Sequence, residues 1–201
     1  MAKLLVLFHS FYGHTFRLAE AIAAGARETT SEISLKQVPE HIPVEALQAS
    51  GAAKTKEGFS HIPFASIGEL PDYDGIAFGT GTRFGNMSST MRNFLDQAGS
   101  LWAEGKLIGK AATVFCSTGT GGGRETTILS TWITLAHLGM ILVPIGYGCP
   151  GLRDASQVHG ASPYGAGTVQ RATAPRPSSL EIDIARYQGK VWAQTAVRLH
   201  G

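Results

Sequence analysis

Residues 4–8 read Leu-Leu-Val-Leu-Phe, five apolar side chains in a row. Successive side chains of a strand point to opposite faces, so a run with no polar relief must be covered on both sides, as in a parallel sheet with helices above and below. The strand spans Lys3–Phe8, and the rest of the chain supplies its cover. Between Thr15 and Arg27, Ala19, Ile22, Ala23 and Ala26 repeat at helical spacing, and Ile33–Val38 gives a weaker second strand. Asp74–Phe78, ending at Gly79, is a third strand, followed by a helix with Met87, Met91, Phe94 and Leu95 on its buried face. Ala111–Cys116 is a fourth, followed by a helix marked by Ile128, Trp132, Leu135 and Ala136; Met140–Val143 is a fifth. The last helix opens on Ser178-x-x-Glu181, a capping-box pattern, with Leu180, Ile184, Tyr187 and Val191 along one face.

Strands alternating with helices predict an α/β fold, a doubly wound five-stranded parallel sheet with helices on both faces in the flavodoxin-like order. Two stretches break the alternation. Pro39–Pro71 has prolines at both ends and a Gly/Ala/Lys-rich centre, and Pro144–Ser178 is rich in Gly, Pro and Ser. Both are expected to be structureless insertions with a functional or interface role, within one domain spanning 1–201.

The net charge is only +2 and the lysines and arginines are dispersed, so no basic stripe points to nucleic acid. Cys116 and Cys149 lie far apart with no CxxC, which writes neither a disulfide framework nor a zinc site and points to a reducing, cytoplasmic compartment. The N-terminal apolar run is too short for a signal peptide. Ile133–Tyr147 is interrupted by His137, Gly139, Pro144 and Gly146, too short and broken to span a bilayer.

In a doubly wound sheet, ligands bind beyond the carboxyl ends of the strands, near the point where strand order reverses. The loops there are Ser10-Phe11-Tyr12-Gly13-His14-Thr15, Thr80-Gly81-Thr82-Arg83-Phe84-Gly85-Asn86 and Ser117-Thr118-Gly119-Thr120-Gly121-Gly122-Gly123. All three are rich in glycine and hydroxyls. The first ends at a helix N-terminus, where free amides and the helix dipole favour an anion. Ser10 and Thr15 add hydroxyl donors, and Gly13 lets the backbone approach a phosphate. The plainer reading is an ordinary N-cap. The second loop offers an aromatic ring, a guanidinium and backbone amides for a flat heterocycle, or is a solvated turn. The third brings amides to a ligand's oxygens, or is a mobile turn. Other phosphate motifs fail: there is no GK[ST], and no GxGxxG after the first strand. Ser10 stands where a cysteine-dependent phosphatase needs its nucleophile, and Phe78-Gly79-Thr80 where a response regulator needs its aspartate.

At these residues the chain resembles the WrbA-type NAD(P)H:quinone oxidoreductases, flavodoxin-like proteins that bind FMN. The matching stretches are YGHT at 12–15, TRFGNMS at 82–88, MRNFLDQ at 91–97, STGTGGG at 117–123, TLAHLGM at 134–140, SPYGA at 162–166 and IARYQG at 184–189. The resemblance implies that Ser10 to Thr15 hold the FMN phosphate and that Thr80 and Thr82 to Asn86 line the isoalloxazine. Ser117 to Gly122 then complete the ring and ribityl site. It further implies that His137 is catalytic and faces the flavin, that Tyr12 contacts the nicotinamide donor and that Trp102 walls the substrate pocket. A cytoplasmic homotetramer, with sites built partly by neighbouring subunits, no nucleic acid and no metal, belongs to the same expectation. Two positions depart from the family. Gly81 replaces a usual proline, predicting a more mobile second loop, and Cys116 replaces a common serine and is read as a packed hydrophobe.

The activity so implied is two-electron reduction of quinones by NADH or NADPH. Hydride passes through the flavin N5 in ping-pong order, with the cofactor supplying the chemistry. The alternative is a flavodoxin-like one-electron carrier fed by a separate reductase. Such carriers usually present an acidic surface, whereas this chain has a pI near 8.6.

Overall fold

The computed structural model describes residues 1–30, 32–170 and 176–201. Strand β1 (Leu4–Phe8) is buried throughout, and the parity of its side chains divides the core. Leu4, Val6 and Phe8 join the hydrophobic cluster under α1 (His14–Arg27) and the C-terminal helix. Leu5 and Leu7 join the one on the opposite face. Around β1 the sheet continues with β2 (Ile33–Gln37), β3 (Gly75–Gly81), β4 (Ala111–Thr118) and β5 (Ile141–Leu142), all parallel, in the order β2-β1-β3-β4-β5. This is the expected flavodoxin-like arrangement. Strand order reverses at β1 and β3, and the crevice there opens at their carboxyl ends.

The two insertions are not structureless. The first folds into α2 (Val44–Ala49), α3 (Ala52–Glu57) and a 3₁₀ turn at Ile67–Asp72. The second contains a 3₁₀ turn at Pro150–Arg153 and a sixth strand, β6 (Gly167–Val169), which also pairs with β4. The edge of the sheet is therefore shared: β5 lies against Ala111 and Ala112, and β6 against Cys116, Ser117 and Thr118. β6 has the length of a turn and follows a Gly-rich stretch, so its apolar pattern gave no strand signal. On the β4 side, α4 (Ser89–Asp96), α5 (Gly99–Ala103) and α6 (Arg124–His137) complete the helices that precede the last.

The last helix, α7 (Ser179–His200), starts at the predicted capping box: Ser178 Oγ accepts from the Glu181 amide at 3.3 Å, and Glu181 accepts from the Ser178 amide at 2.8 Å. Its buried face is rotated from the expected one. Ile184 is buried, but Leu180, Tyr187 and Val191 only partly so, and the interior positions include Glu181 and Gln188. Glu181 also accepts from the Gly160 amide (2.9 Å) and the Thr168 hydroxyl (2.8 Å), while Gln188 bonds the Ala166 amide (2.7 Å) and the Val114 carbonyl (2.9 Å). These two polar side chains tie the second insertion to the sheet, which is why an apolar pattern misplaced the face. Close approach of α7 to α1 needs glycine on each: a Cβ on Gly189 would lie 2.0 Å from the Ile22 carbonyl oxygen, and one on Gly25 would lie 1.9 Å from that of Arg186. Among the described residues no helix is long and apolar enough to cross a membrane.

Candidate functional site

The three glycine- and hydroxyl-rich loops converge. One cavity beyond the carboxyl ends of β1, β3 and β4 is lined by Ser10, Phe11, Tyr12 and His14 from the first loop, Thr82 and Arg83 from the second, and Ser117, Thr118 and Gly119 from the third. A second hollow shares Thr82, Arg83, Thr118 and Gly119 with it and extends over Phe84, Gly85, Thr120, Gly122 and Gly123. Together they form one cleft at the switch point.

The first loop is built to receive an anion. Gly13, at φ +79°, caps α1, and no side chain bonds the helix amides. Arg17 is the first α1 residue whose amide reaches a carbonyl, that of Gly13 at 3.0 Å, so the amides of His14, Thr15 and Phe16 have no partner among the described residues. The ordinary N-cap reading fails here, because Thr15 Oγ1 is engaged with Ser117 Oγ at 2.8 Å instead. Ser10, 2% exposed, has its hydroxyl buried without a partner among the described residues. A buried polar atom left unpaired costs about 1–3 kcal/mol. A phosphate bound against the helix amides removes that cost, so the residues fit FMN.

The second loop is tied to its neighbours by hydrogen bonds. Gly81 pairs with Ser117 in the β3–β4 ladder, and the Thr82 amide bonds the Ser117 carbonyl at 2.8 Å. Arg83 and Asn86 close a tight turn through reciprocal bonds of 2.8 and 3.0 Å. Inside it, Phe84 and Gly85 both take positive φ, 51° and 80°. A phenylalanine there is rare outside functional loops, and this one is fully exposed. Thr82 Oγ1 lies 2.5 Å from Thr127 Oγ1, Thr127 Oγ1 donates to the Asn86 carbonyl (3.3 Å) and Ser130 to that of Gly85 (3.4 Å), fixing the turn to α6. The Arg83 guanidinium stands over the Phe11 ring at 5.1 Å. In the third loop Thr118 Oγ1 donates to the Gly122 carbonyl at 2.9 Å. Cys116 beneath it is buried, with burial pushing its thiol up to about 12, so it is an unreactive packed side chain.

Not every anticipated residue meets the cleft. Thr80 lies behind it, its hydroxyl accepting from the Ser88 amide at 2.9 Å, while Gly121 and Asn86 shape their turns without lining it. His137 and Trp102 share a different groove with Leu95, Ile133 and Leu138. α6 begins at the cleft and ends at His137, and its 14 residues span roughly 20 Å. One chain therefore does not bring His137 to the loops. Conversely, His9, Ser88 and Gln170, which the sequence does not single out, line the cleft, as does Gly81, which stands out there only as a departure from the family. His9 directly follows β1 and Gly81 closes β3 at the carboxyl edge, a positional signal available in the sequence. Gln170 reaches the site only because β6 joins the sheet, for which the sequence carries no signal.

His9 is 2% exposed and bonds Ser88 Oγ through Nδ1 (2.9 Å) and Glu40 Oε2 through Nε2 (3.0 Å). Burial holds its imidazole below the usual value against the pull of Glu40. Burial also works to raise Glu40, but bonds from His9, Lys56 and the Ile42 amide outweigh it and hold this carboxyl far below the usual range.

Compared with known proteins, residues 3–149 match the profile of the family described as NADPH-dependent FMN reductase. Among solved structures, the chain is similar to the flavodoxin, WrbA-like protein from Agrobacterium tumefaciens, with 21% identity, a TM-score of 0.69 and 99% of each chain covered. It is also similar to Flavodoxin 2 from Bacillus cereus, with 17% identity, a TM-score of 0.64, and 96% of this chain and 99% of the other covered. Likeness to the flavodiiron protein from Giardia intestinalis (17% identity, TM-score 0.61) covers 98% of this chain but 36% of that one.

Proposed function

The chain belongs to the NADPH-dependent FMN reductase family, and from that premise we propose that it is an NAD(P)H:quinone oxidoreductase of the WrbA type. The observation that carries the site assignment is the Ser10 hydroxyl, unpartnered among the described residues, in the loop that leads into the free amides of α1. These groups hold the FMN phosphate by replacing its water with fixed donors. The Thr15–Ser117 bond keeps the first and third loops together around it. Arg83, stacked on Phe11, and the backbone of Thr118, Gly119, Thr120 and Gly122 frame the ring. Bound FMN supplies a ring that accepts a hydride and gives up two electrons.

The protein's part is orientation and exclusion of water. Tyr12 is 42% exposed at the mouth of the cavity, where it meets an incoming nicotinamide. In this proposal His137 acts from a neighbouring copy. Its groove, walled by Trp102 and Ile133, each 63% exposed, is the apolar surface through which copies assemble. A homotetramer so built lays His137 and Trp102 against another subunit's loops, and its place is the cytoplasm.

Initial rates measured over a grid of NADPH and benzoquinone concentrations test the reading. Parallel double-reciprocal lines are expected, because both substrates use one open face in turn. Absence of turnover, with electrons delivered only to a separate redox protein, would establish a one-electron carrier instead.

A further inference from the structure

His9 lines the cleft but is not among the groups that hold FMN. It directly follows β1, and its two ring nitrogens are both engaged, Nε2 with Glu40 and Nδ1 with Ser88. Glu40 is itself surrounded by donors: Lys56 Nζ at 3.0 Å, the Thr90 hydroxyl at 3.0 Å, and the His41 and Ile42 amides at 3.1 Å each. An ionised carboxylate only accepts, so Nε2 carries the proton and donates to it. Nδ1 is then a lone pair that receives the Ser88 hydroxyl. The charged groups bearing on this imidazole are Glu40 from the loop after β2, Lys56 from α3 and Arg83 from the second loop.

Beyond Ser88 the hydroxyls continue: Thr80 Oγ1 lies 3.3 Å from Ser88 Oγ and 3.1 Å from the Gly81 carbonyl oxygen. A proton arriving at His9 Nδ1 reverses the chain. His9 then donates to Ser88, Ser88 to Thr80, and Thr80 to the Gly81 carbonyl. Ser88 Oγ still accepts from the Met91 amide (3.3 Å) and Thr80 Oγ1 from the Ser88 amide (2.9 Å). The polar atoms of His9, Ser88 and Thr80 all keep partners in either state, so the relay exchanges between the two without leaving one of them unpaired.

We propose that His9 is the charge-balancing residue of this site, taking up one solvent proton at Nδ1 when the cleft gains electrons and releasing it when they leave. The proton count requires such a group. NADPH gives up a hydride, which is one proton and two electrons, and becomes NADP⁺. A quinone departing as hydroquinone takes two electrons and two protons. One proton per turnover therefore comes from solvent. Added negative charge in a buried site raises the proton affinity of a neighbouring imidazole, and Glu40 stands against Nε2 as the counter-ion of the protonated ring. The inference rests on the loop cleft being the FMN site, not on the identity of the oxidant.

The test uses FMN-loaded protein with ¹⁵N-labelled histidines, titrated from about pH 5 to pH 8 by NMR, once oxidised and once reduced by dithionite. The His9 signal is the one lost in His9→Gln. In the oxidised protein it is expected to titrate below the usual 6.5, and on reduction to move up by at least one pH unit, a tenfold gain in proton affinity. The midpoint potential of the wild type then falls with pH more steeply than that of His9→Gln, by up to about 29.6 mV per pH unit between the two titrations, the tenfold increment of a two-electron couple. Identical His9 titrations in both redox states overturn the proposal, as do parallel potential curves. If His9→Gln does not fold, E40Q identifies the signal, since loss of the counter-ion lowers the reduced-state titration. Failure of FMN to load, visible in the absorption spectrum beforehand, overturns the site assignment and the proposal with it.

Discussion

Gly13→Val is the sharpest single perturbation of the proposed phosphate loop. Gly13 sits at φ +79° and ψ −17°, a left-handed conformation that costs a residue with a Cβ about 1–2 kcal/mol. The new Cβ also comes 3.3 Å from Thr55 Cγ2, a side-chain methyl that can give way. That sum is a fraction of the ~5–15 kcal/mol typical of a folded domain, so the sheet survives. Valine escapes its strain by leaving the left-handed region, which swings the amides of His14, Thr15 and Phe16 away from the anion. Losing two charge-assisted hydrogen bonds, at about 1.5–3 kcal/mol each, sums to about 3–6 kcal/mol and weakens FMN binding roughly 10²- to 10⁴-fold. Quenching of FMN fluorescence on titration with apo-protein reads the affinity, and a thermal melt run beside it reads the fold. Wild-type FMN affinity in a variant that melts cooperatively would refute the cradle.

Other consequences are equally measurable. Ser10→Ala removes a buried hydroxyl that has no partner among the described residues. It should therefore raise the apo-protein's melting temperature, by about 2–4 °C per kcal/mol relieved, while weakening FMN about tenfold; a lower apo melting temperature contradicts the orphaned hydroxyl. Gly189→Ala drives a methyl to 2.0 Å from the Ile22 carbonyl oxygen and should cost about 1–3 kcal/mol or more of stability, read as a drop in the urea midpoint with FMN affinity little changed. His9 and Glu40 are both held below their usual values, 6.5 and 4.5, so the folded state binds fewer protons than the unfolded chain. Their contribution is present above pH 6.5 and is lost as pH falls, first through His9 and then through Glu40, with a slope of up to about 1.4 kcal/mol per pH unit for each group. Urea unfolding from pH 8 to pH 4 should show the first fall in the wild type and not in His9→Phe.

The sheet was legible because parallel strands announce themselves: β1, β3 and β4 are near-continuous apolar runs whose ends match the sequence reading within a few residues. The convergence of the three loops followed from topology alone. What escaped notice depends on interactions between distant segments. β6 is a strand only because the β4 edge is left open by the two-residue β5, and Glu181 and Gln188 are interior only because they bond an insertion. Tyr187 fits an apolar period yet is only half-buried for the same reason, since the polar contacts of Glu181 and Gln188 set the rotation of α7; Ala136, which fits the period of α6, is exposed. His9 carries no motif of its own and shows only by position, directly after an apolar strand at the carboxyl edge, where site residues gather. His137 and Trp102 came from the family resemblance, and within one chain they lie in a groove of their own.

The most direct test of the account is an anaerobic titration of FMN-loaded protein with NADPH, followed by one equivalent of benzoquinone. The flavin's visible band should bleach in proportion to NADPH added and recover fully when the quinone arrives. A band that NADPH and NADH both leave untouched would contradict the oxidoreductase reading and leave a carrier that depends on a separate reductase.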